Sequence, residues 1–410
     1  MTVLFGIVGI LAAIGIYQVF FAHATPQIPG DLNGDGVVNI LDLSILASNW
    51  GVHTGAGSSS GDINSDGIVD ITDLSIMASN WNQTSLSGVI TADPNATPEA
   101  VNLLKLLNTL PSNPSHRILS GQFVDDSSLY ASNVNPITTA TGKTPSIIGY
   151  DFFWDYSGSA SCNSGAPRSN NWQDIADDAV AKAQVGHIIE ISFHLDNPEN
   201  ACAYSNRTID SSIFTSGTIG NTNLNASLNN EVSAFTQLQN NHIPVLFRPY
   251  HEMNGNWFWW GSQSWYPQLW QYTFNYLTSH GVHNLIYVYS PNLSADMTHY
   301  PGNNYVDVVG VDTYSATPND GQWITAQQSY AQSTPGKPFA ISEFGFANPP
   351  AANTYDNSVL LGGLTATANQ ATGPSYFMSW SDQWNIDQQK NLSVLYQNSA
   401  IANLGDYTNP

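Results

Sequence analysis

The chain has little charge. Asp, Glu, Lys and Arg make up 10% of its 410 residues, against about 25% in an ordinary soluble domain. Only nine residues are Lys or Arg, none before Lys105, and the net charge is −22. That field repels polyphosphates and anionic lipid, so nucleic acid and acidic membranes are excluded as natural partners. A neutral polymer is indifferent to it. Cysteine is almost missing as well. Cys162 and Cys202 are the only two, which leaves either one disulfide stapling two Gly/Asn/Ser-rich loops or two free thiols. No Gly-rich phosphate loop is present to support a nucleotide-binding open sheet. What fills the space is polar and uncharged: Asn, Ser, Thr, Gln and Gly cover the surface, and the 42% hydrophobic fraction can form a sizeable core.

Aromatic residues are abundant, with 12 Trp and 19 Tyr. Several Trp fall in loop-like contexts (Trp257, Trp259, Trp260, Trp265, Trp384), where a flat apolar face with a polar handle can stack on a ligand.

Residues 3–22 are almost wholly apolar and end near Ala22-His23-Ala24. This is the small-x-small pattern of a signal peptide cleaved after Ala24. The run lacks a basic start and is long enough to span a bilayer, so an uncleaved anchor is the alternative for residues 1–24. Both readings put the remainder outside the cytoplasm, secreted or attached to the cell surface.

A repeat follows. The segment Asp31–Trp50 recurs as Asp62–Trp81. Each copy opens with a loop of about 12 residues whose oxygen donors take the spacing of a calcium loop. The donors are Asp31, Asn33, Asp35, Asn39 and Asp42, then Asp62, Asn64, Asp66, Asp70 and Asp73. Backbone carbonyls of Val37 and Ile68 complete the two sets, and Gly36 and Gly67 sit where the chain must turn. Hard oxygen ligands at this spacing select Ca²⁺, one ion per loop. No helix is suggested before either loop, and the last ligand is Asp rather than Glu.

This duplicated loop–helix, over 28–82, resembles the dockerin module. The resemblance implies a cohesin domain as partner. Loop positions 10 and 11, Ile40-Leu41 and Ile71-Thr72, depart from the Ser-Thr type common in such modules, so the resemblance does not name which cohesin. A module this small draws much of its folding energy from the metal.

Residues 83–96 read as a Ser/Thr/Gly/Pro-rich linker. A helix starts at Thr97-Pro98, and from there to residue 410 strand-like runs alternate with helical stretches. The runs are Arg117–Phe123, Ser146–Phe153, His187–Phe193, Pro244–His251, Asn284–Ser290, Val306–Tyr314, Pro338–Phe344 and Ser375–Trp380. Eight such units predict an α/β fold, a (β/α)8 barrel, with its active site at the C-terminal strand ends.

Two carboxylates stand at such ends. Glu252 closes the fourth run and is followed at once by aromatic residues. Glu343 closes the seventh, in Ile341-Ser-Glu-Phe-Gly345. Glycosidic bond hydrolysis needs two flanking carboxyl groups, and an apolar surrounding raises the pKa of the acid. Strand alternation puts Arg248, Tyr250 and Glu252 on one face, with Arg248 beneath Glu252 and able to hydrogen-bond the second carboxylate. The same parity pairs Asp312 with Tyr314, whose hydroxyl would orient Glu343.

The segment Arg248-Pro-Tyr-His-Glu-Met-Asn-Gly-Asn-Trp-Phe-Trp-Trp-Gly261, with the Glu343 motif, resembles glycoside hydrolase family 26, dominated by endo-β-1,4-mannanases. The resemblance implies a retaining mechanism over 97–410 that needs no cofactor. Glu252 matches the acid/base and Glu343 the nucleophile. His194, His251, Trp257, Tyr314 and Trp380 match substrate-contacting residues, with Arg248 placed among them and Trp384 competing with Trp380. Mannan, galactomannan or glucomannan is the implied substrate. Mixed-linkage β-glucan and β-1,3-xylan are the alternatives within the family, and a non-catalytic, cohesin-docked carbohydrate-binding protein is the alternative outside it.

Overall fold

The computed structural model describes residues 29–408 except 33–37, 53–60, 65, 82–88, 126–128, 153–171, 200–204, 206–208, 316–321, 347–350, 369–372 and 382–383. The apolar run 3–22, both cysteines, and Asn33, Asp35 and Val37 lie outside the described residues. The chain divides into two compact units, Met1–Gly88 and Val89–Pro410.

In the first unit, helices α1 (Ile40–Ser48) and α2 (Ile71–Ser79) repeat one another. Each starts with the same capping box. The N–H of Asn39 donates to Asp42 Oδ2 at 2.8 Å, and that of Asp70 to Asp73 Oδ2 at 2.9 Å. This satisfies N–H groups that a helix start leaves free. The core is small: Leu32, Val38, Leu46, Val69 and Met77. In the second loop the side chain of Asp62 organises the turn. Asp62 Oδ1 accepts from the N–H of Asp66 and Oδ2 from that of Gly67, and Gly67 turns the chain at φ +94°, a conformation open mainly to glycine. Asp62 and Asp73 are fully buried. Asn64 and Asp70 are half-buried and Asp66 is exposed; oxygen donors of this kind suit a hard cation such as Ca²⁺ rather than a soft metal.

The second unit begins before the helix at Thr97. Residues 89–96, within the stretch read as linker, belong to it: the N–H of Ala92 donates to Asp307 Oδ1 at 2.6 Å, and Asp93 Oδ2 pairs with His283 Nδ1 at 2.7 Å. Helix α3 (Pro98–Thr109) has Thr97 as its cap, accepting from the N–H of Ala100. It buries Leu103, Leu104 and Leu107, each worth about 1.5–3 kcal/mol.

Eight parallel strands follow: β1 (Ile118–Asp125), β2 (Ile147–Phe152), β3 (Ile188–Phe193), β4 (Val245–Arg248), β5 (Leu285–Tyr289), β6 (Val308–Tyr314), β7 (Phe339–Gly345) and β8 (Pro374–Ser379). Neighbours pair in chain order, and β1 pairs with both β2 and β8, closing a barrel. An open, doubly wound sheet is thereby ruled out. A two-residue strand, β9 (Ile401–Ala402), adds to the first residues of β1. The strands are buried and largely apolar on both faces because both are covered. Leu119, Ile147, Ile188, Leu246, Ile286 and Val308 share one cluster with α3, filling the barrel. Their alternate neighbours, such as Ile118, Ile148, Ile189, Val245 and Phe247, pack in another, on the helix side.

Candidate active site

The floor of the site is a single cation among three carboxylates. Arg248, the last residue of β4, is fully buried. Its Nε donates to Glu190 Oε1 on β3 at 3.1 Å, Nη1 to Asp312 Oδ2 on β6 at 2.9 Å, and Nη2 to Glu343 Oε2 on β7 at 2.8 Å. The expected bond to the second carboxylate is present. The placement of Arg248 among sugar-contacting residues needs correction, because each of its nitrogens is committed beneath the surface. Arg248 acts through Glu343. Burial pushes Glu190 up to about 8, against the pull of Arg248, and pushes Asp312 up as well.

Glu343 is 4% exposed. Its other oxygen accepts from the Tyr314 hydroxyl at 2.6 Å. Burial and the neighbouring Glu343 raise the pKa of this phenol well above its ordinary value, so it remains a donor. Two donors on separate oxygens hold this carboxylate in one orientation. Gly345 makes the Tyr314 contact possible, since a Cβ there would lie 2.5 Å from the phenol ring.

Alternation along β4 stops at Arg248. Tyr250 and Glu252 adopt φ +49° and +53°, the left-handed region that costs a non-glycine residue energy. Tyr250 therefore does not share the face of Arg248, as parity predicted. It turns to the helix side, where its hydroxyl bonds Thr273 at 2.8 Å. Glu252 is carried past the strand end, 8% exposed, with its N–H on the Ser290 carbonyl at 2.7 Å. Its Oε2 accepts from Trp257 Nε1 at 2.7 Å and its Oε1 from Asn292 Nδ2 at 2.6 Å. Burial, then the charge of Glu343, pushes its pKa up to about 7, while the amide, the indole and Arg248 oppose the rise. This is the environment of a carboxyl that holds a proton near neutrality and can release it.

The remaining expected residues line the same end of the barrel. His194 follows β3, its Nδ1 2.8 Å from Asp151 Oδ2. Its ring meets those of His251 (4.7 Å), Phe258 (5.1 Å) and Trp380 (6.2 Å) edge-on. His251 is buried, and its Nδ1 has no hydrogen-bond partner among the described residues. Burial holds its pKa well below the usual histidine range, so the ring is neutral. Trp257 is 44% exposed and offers a face to a ligand. Trp380 is buried against Phe123 at 4.8 Å, whereas Trp384 lies edge-on to Tyr314 at 5.8 Å. Trp259 and Trp260 are core: both are fully buried, with indole N–H groups on the carbonyls of Leu195 and His251.

Sequence reasoning missed Asp151, Glu190 and Asn292. Asp151 and Asn292 stand at the ends of the second and fifth runs, the signal that exposed the glutamates. Glu190 interrupts the apolar run Ile188-Ile-Glu-Ile191, and a charge there calls for a buried partner. Ligand-type atoms of His251, Asp312 and Glu343 approach within 4.8 Å of one another. Arg248 already supplies the positive charge bonded to both carboxylates, so a metal ion does not fit there.

Comparison with known proteins agrees with this geometry. The family profile of glycosyl hydrolase family 26 matches residues 92–406, and that of the dockerin type I domain matches 29–80. A mannan endo-1,4-beta-mannosidase of Bacillus subtilis (strain 168) is 32% identical over 342 residues, 78% of this chain and 90% of that protein. Mannan endo-1,4-beta-mannosidase A and B of Caldalkalibacillus mannanilyticus is 30% identical over 78% of this chain and 63% of its own length. The solved structure of Bacillus subtilis mannanase man26 superposes with a TM-score of 0.66 at 30% identity, covering 77% of this chain and 96% of that one. With a family match across its whole barrel and a dockerin type I match across the repeat, the chain belongs to glycosyl hydrolase family 26.

Proposed function

We propose that the protein is an endo-β-1,4-mannanase working by double displacement, with Glu343 as nucleophile and Glu252 as acid/base. The observation that carries this reading is the contrast between the two carboxyls. Glu343 is held by a guanidinium and a phenol, and Glu252 by a neutral amide and an indole, with its pKa near 7. Glu343 attacks the anomeric carbon as the glycosidic C–O bond breaks, and Glu252 gives its proton to the leaving oxygen. Water then attacks the glycosyl-enzyme, Glu252 takes its proton, and Glu343 is released. Retention of configuration requires the two carboxyls about 5–5.5 Å apart. His194, His251, Trp257, Tyr314 and Trp384 or Trp380 surround the sugar.

The first unit binds two Ca²⁺ ions, one per loop, and docks to a cohesin on a scaffold or cell-surface protein. The enzyme acts outside the cytoplasm. The dockerin match and the acidic repeat support this part of the reading.

The test is product analysis on linear mannan, galactomannan, barley β-glucan and β-1,3-xylan in parallel, with the anomer of the first-formed product read by NMR. Manno-oligosaccharides released with retained configuration support the reading. Hydrolysis of β-glucan or xylan alone refutes the substrate, and binding without hydrolysis refutes the enzyme. Glu252→Gln and Glu343→Gln must each lower turnover by orders of magnitude while the fold persists.

A further inference from the structure

Glu252 sits on a backbone that does not hold itself. It lies past the end of β4 in the left-handed region, and a side chain there is fixed only by what it touches. One of its two donors, Trp257, is 44% exposed. The other, Asn292, is locked.

The lock has four parts. The main-chain N–H of Asn292 donates to Asn254 Oδ1 at 2.8 Å, and Asn254 Nδ2 donates back to the Asn292 carbonyl at 2.8 Å. Asn254 thus imitates a neighbouring strand for one residue. On the other side Asn292 bridges to Asp312 of β6, with the N–H of Asp312 on the Pro291 carbonyl at 3.0 Å and the N–H of Leu293 on the Asp312 carbonyl at 2.8 Å. From this fixed backbone, Nδ2 reaches Glu252 Oε1 at 2.6 Å.

We propose that Asn292, clamped by Asn254, is a positioning residue of the reaction: its amide fixes the Glu252 carboxyl and stabilises the carboxylate form that must act as base in the second half-reaction. This rests on Glu252 being the acid/base. The logic is chemical. Burial and Glu343 favour the protonated form that the first step needs. The same group must then exist as an anion beside the glycosyl-enzyme, and a neutral donor lowers the cost of that state without adding a charge that would hold it there permanently. Asn254 contributes twice, since it precedes Gly255, whose N–H bonds the Glu252 carbonyl at 2.9 Å.

The experiment measures pH profiles of kcat and kcat/KM on β-1,4-mannan oligosaccharides for the full chain, Asn292→Ala, Asn254→Ala, the double variant and Glu252→Ala. Loss of the amide is expected to move the alkaline limb of kcat/KM upward by about one pH unit and to lower kcat roughly tenfold. Asn254→Ala moves the limb the same way by less, and the double variant resembles Asn292→Ala because the two residues act through one bond. A purely structural role would lower activity without moving the limb, so an unmoved limb in Asn292→Ala overturns the inference, as does strict additivity. If Asn292→Ala does not fold, Asn254→Ala, which keeps the amide but frees it, carries the same test. Glu252→Ala separates the two readings. Native-like activity there refutes the acid/base role itself, whereas an inactive Glu252→Ala with an unmoved limb in Asn292→Ala refutes only the clamp.

Discussion

Replacing Arg248 by Met tests the floor of the site. Among the described residues the guanidinium carries the only positive charge within bonding distance of Glu190, Asp312 and Glu343, at 3.1, 2.9 and 2.8 Å, and all four side chains are at most 5% exposed. Charge centres about 4 Å apart in a protein of effective dielectric about 20 interact by about 4 kcal/mol. Without the cation, the carboxylates can relieve their repulsion only by taking up protons, and a protonated Glu343 is not a nucleophile. At about 1.4 kcal/mol per tenfold, the loss corresponds to about a thousandfold in kcat/KM. Removing one side of a buried ion pair also costs about 3–5 kcal/mol of stability. Arg248→Lys keeps the charge but not the fork that reaches three directions, so it falls between Met and the native enzyme in both respects. Steady-state kinetics on β-1,4-mannan oligosaccharides and urea unfolding, run on the same preparations well below the melting midpoint, separate chemistry from folding. A folded Arg248→Met variant with activity within tenfold of native would refute the reasoning. So would a variant that lost stability but not activity.

Three further outcomes follow from buried groups. Glu252, with its pKa pushed up to about 7, supplies a proton only below that value, so kcat/KM declines as pH rises through about 7; a rate flat from about pH 6 to 8 would count against it as the acid. Glu231, on the helix Ile219–Asn240, is fully buried, and neither carboxyl oxygen has a partner among the described residues. Burial raises its pKa well above the ordinary value, so its neutral form suits the fold; stability is greatest below the unfolded pKa of about 4.3 and falls as pH rises toward the folded one. Glu231→Gln should therefore raise the urea midpoint at pH 8 by more than at pH 4, and equal effects at both would refute the argument. Chelation of calcium should unfold the 29–80 unit and abolish cohesin capture while leaving the rate of mannan hydrolysis unchanged; loss of hydrolysis would show that the ions serve the barrel.

The barrel was legible because its strands are buried on both faces and read as continuous apolar runs. All eight runs became strands. The fourth was overextended. Its pattern continues to His251, but the ladder ends at Arg248, and the positive φ of Tyr250 and Glu252 has no signature in residues that are neither Gly nor Asn. The parity argument therefore found the Arg248–Glu343 bond, which lies within the strand, and failed for Tyr250, which lies beyond it. Glu252 and Glu343 were visible as lone carboxylates at strand ends. Asn292 and Asp151 occupy equivalent places but carry commoner side chains, and their partners come from other strands. Pairing of that kind is set by the strand order of the sheet, which brings β4 beside β5 and β2 beside β3, and no local pattern records it.

The two halves of the site are built by opposite rules, and the chemistry explains why. In the proposed mechanism the nucleophile must be anionic at every encounter and must not move. Glu343 is accordingly inside a strand, with one oxygen on a cation and the other on a phenol. The acid/base must change protonation state twice in each cycle. A bonded cation would pull it toward the anion, and an apolar pocket alone would hold it protonated. Glu252 stands off the strand end, where burial and a neighbouring anion favour the proton while two neutral N–H donors favour its loss. The balance falls near neutrality because, among the described residues, its side-chain donors are neutral. In so acidic a protein, the placement of one Arg therefore decides the roles. Its guanidinium bonds Glu343 and not Glu252, so one carboxyl is tied to a cation from beneath while the other is left to two neutral donors.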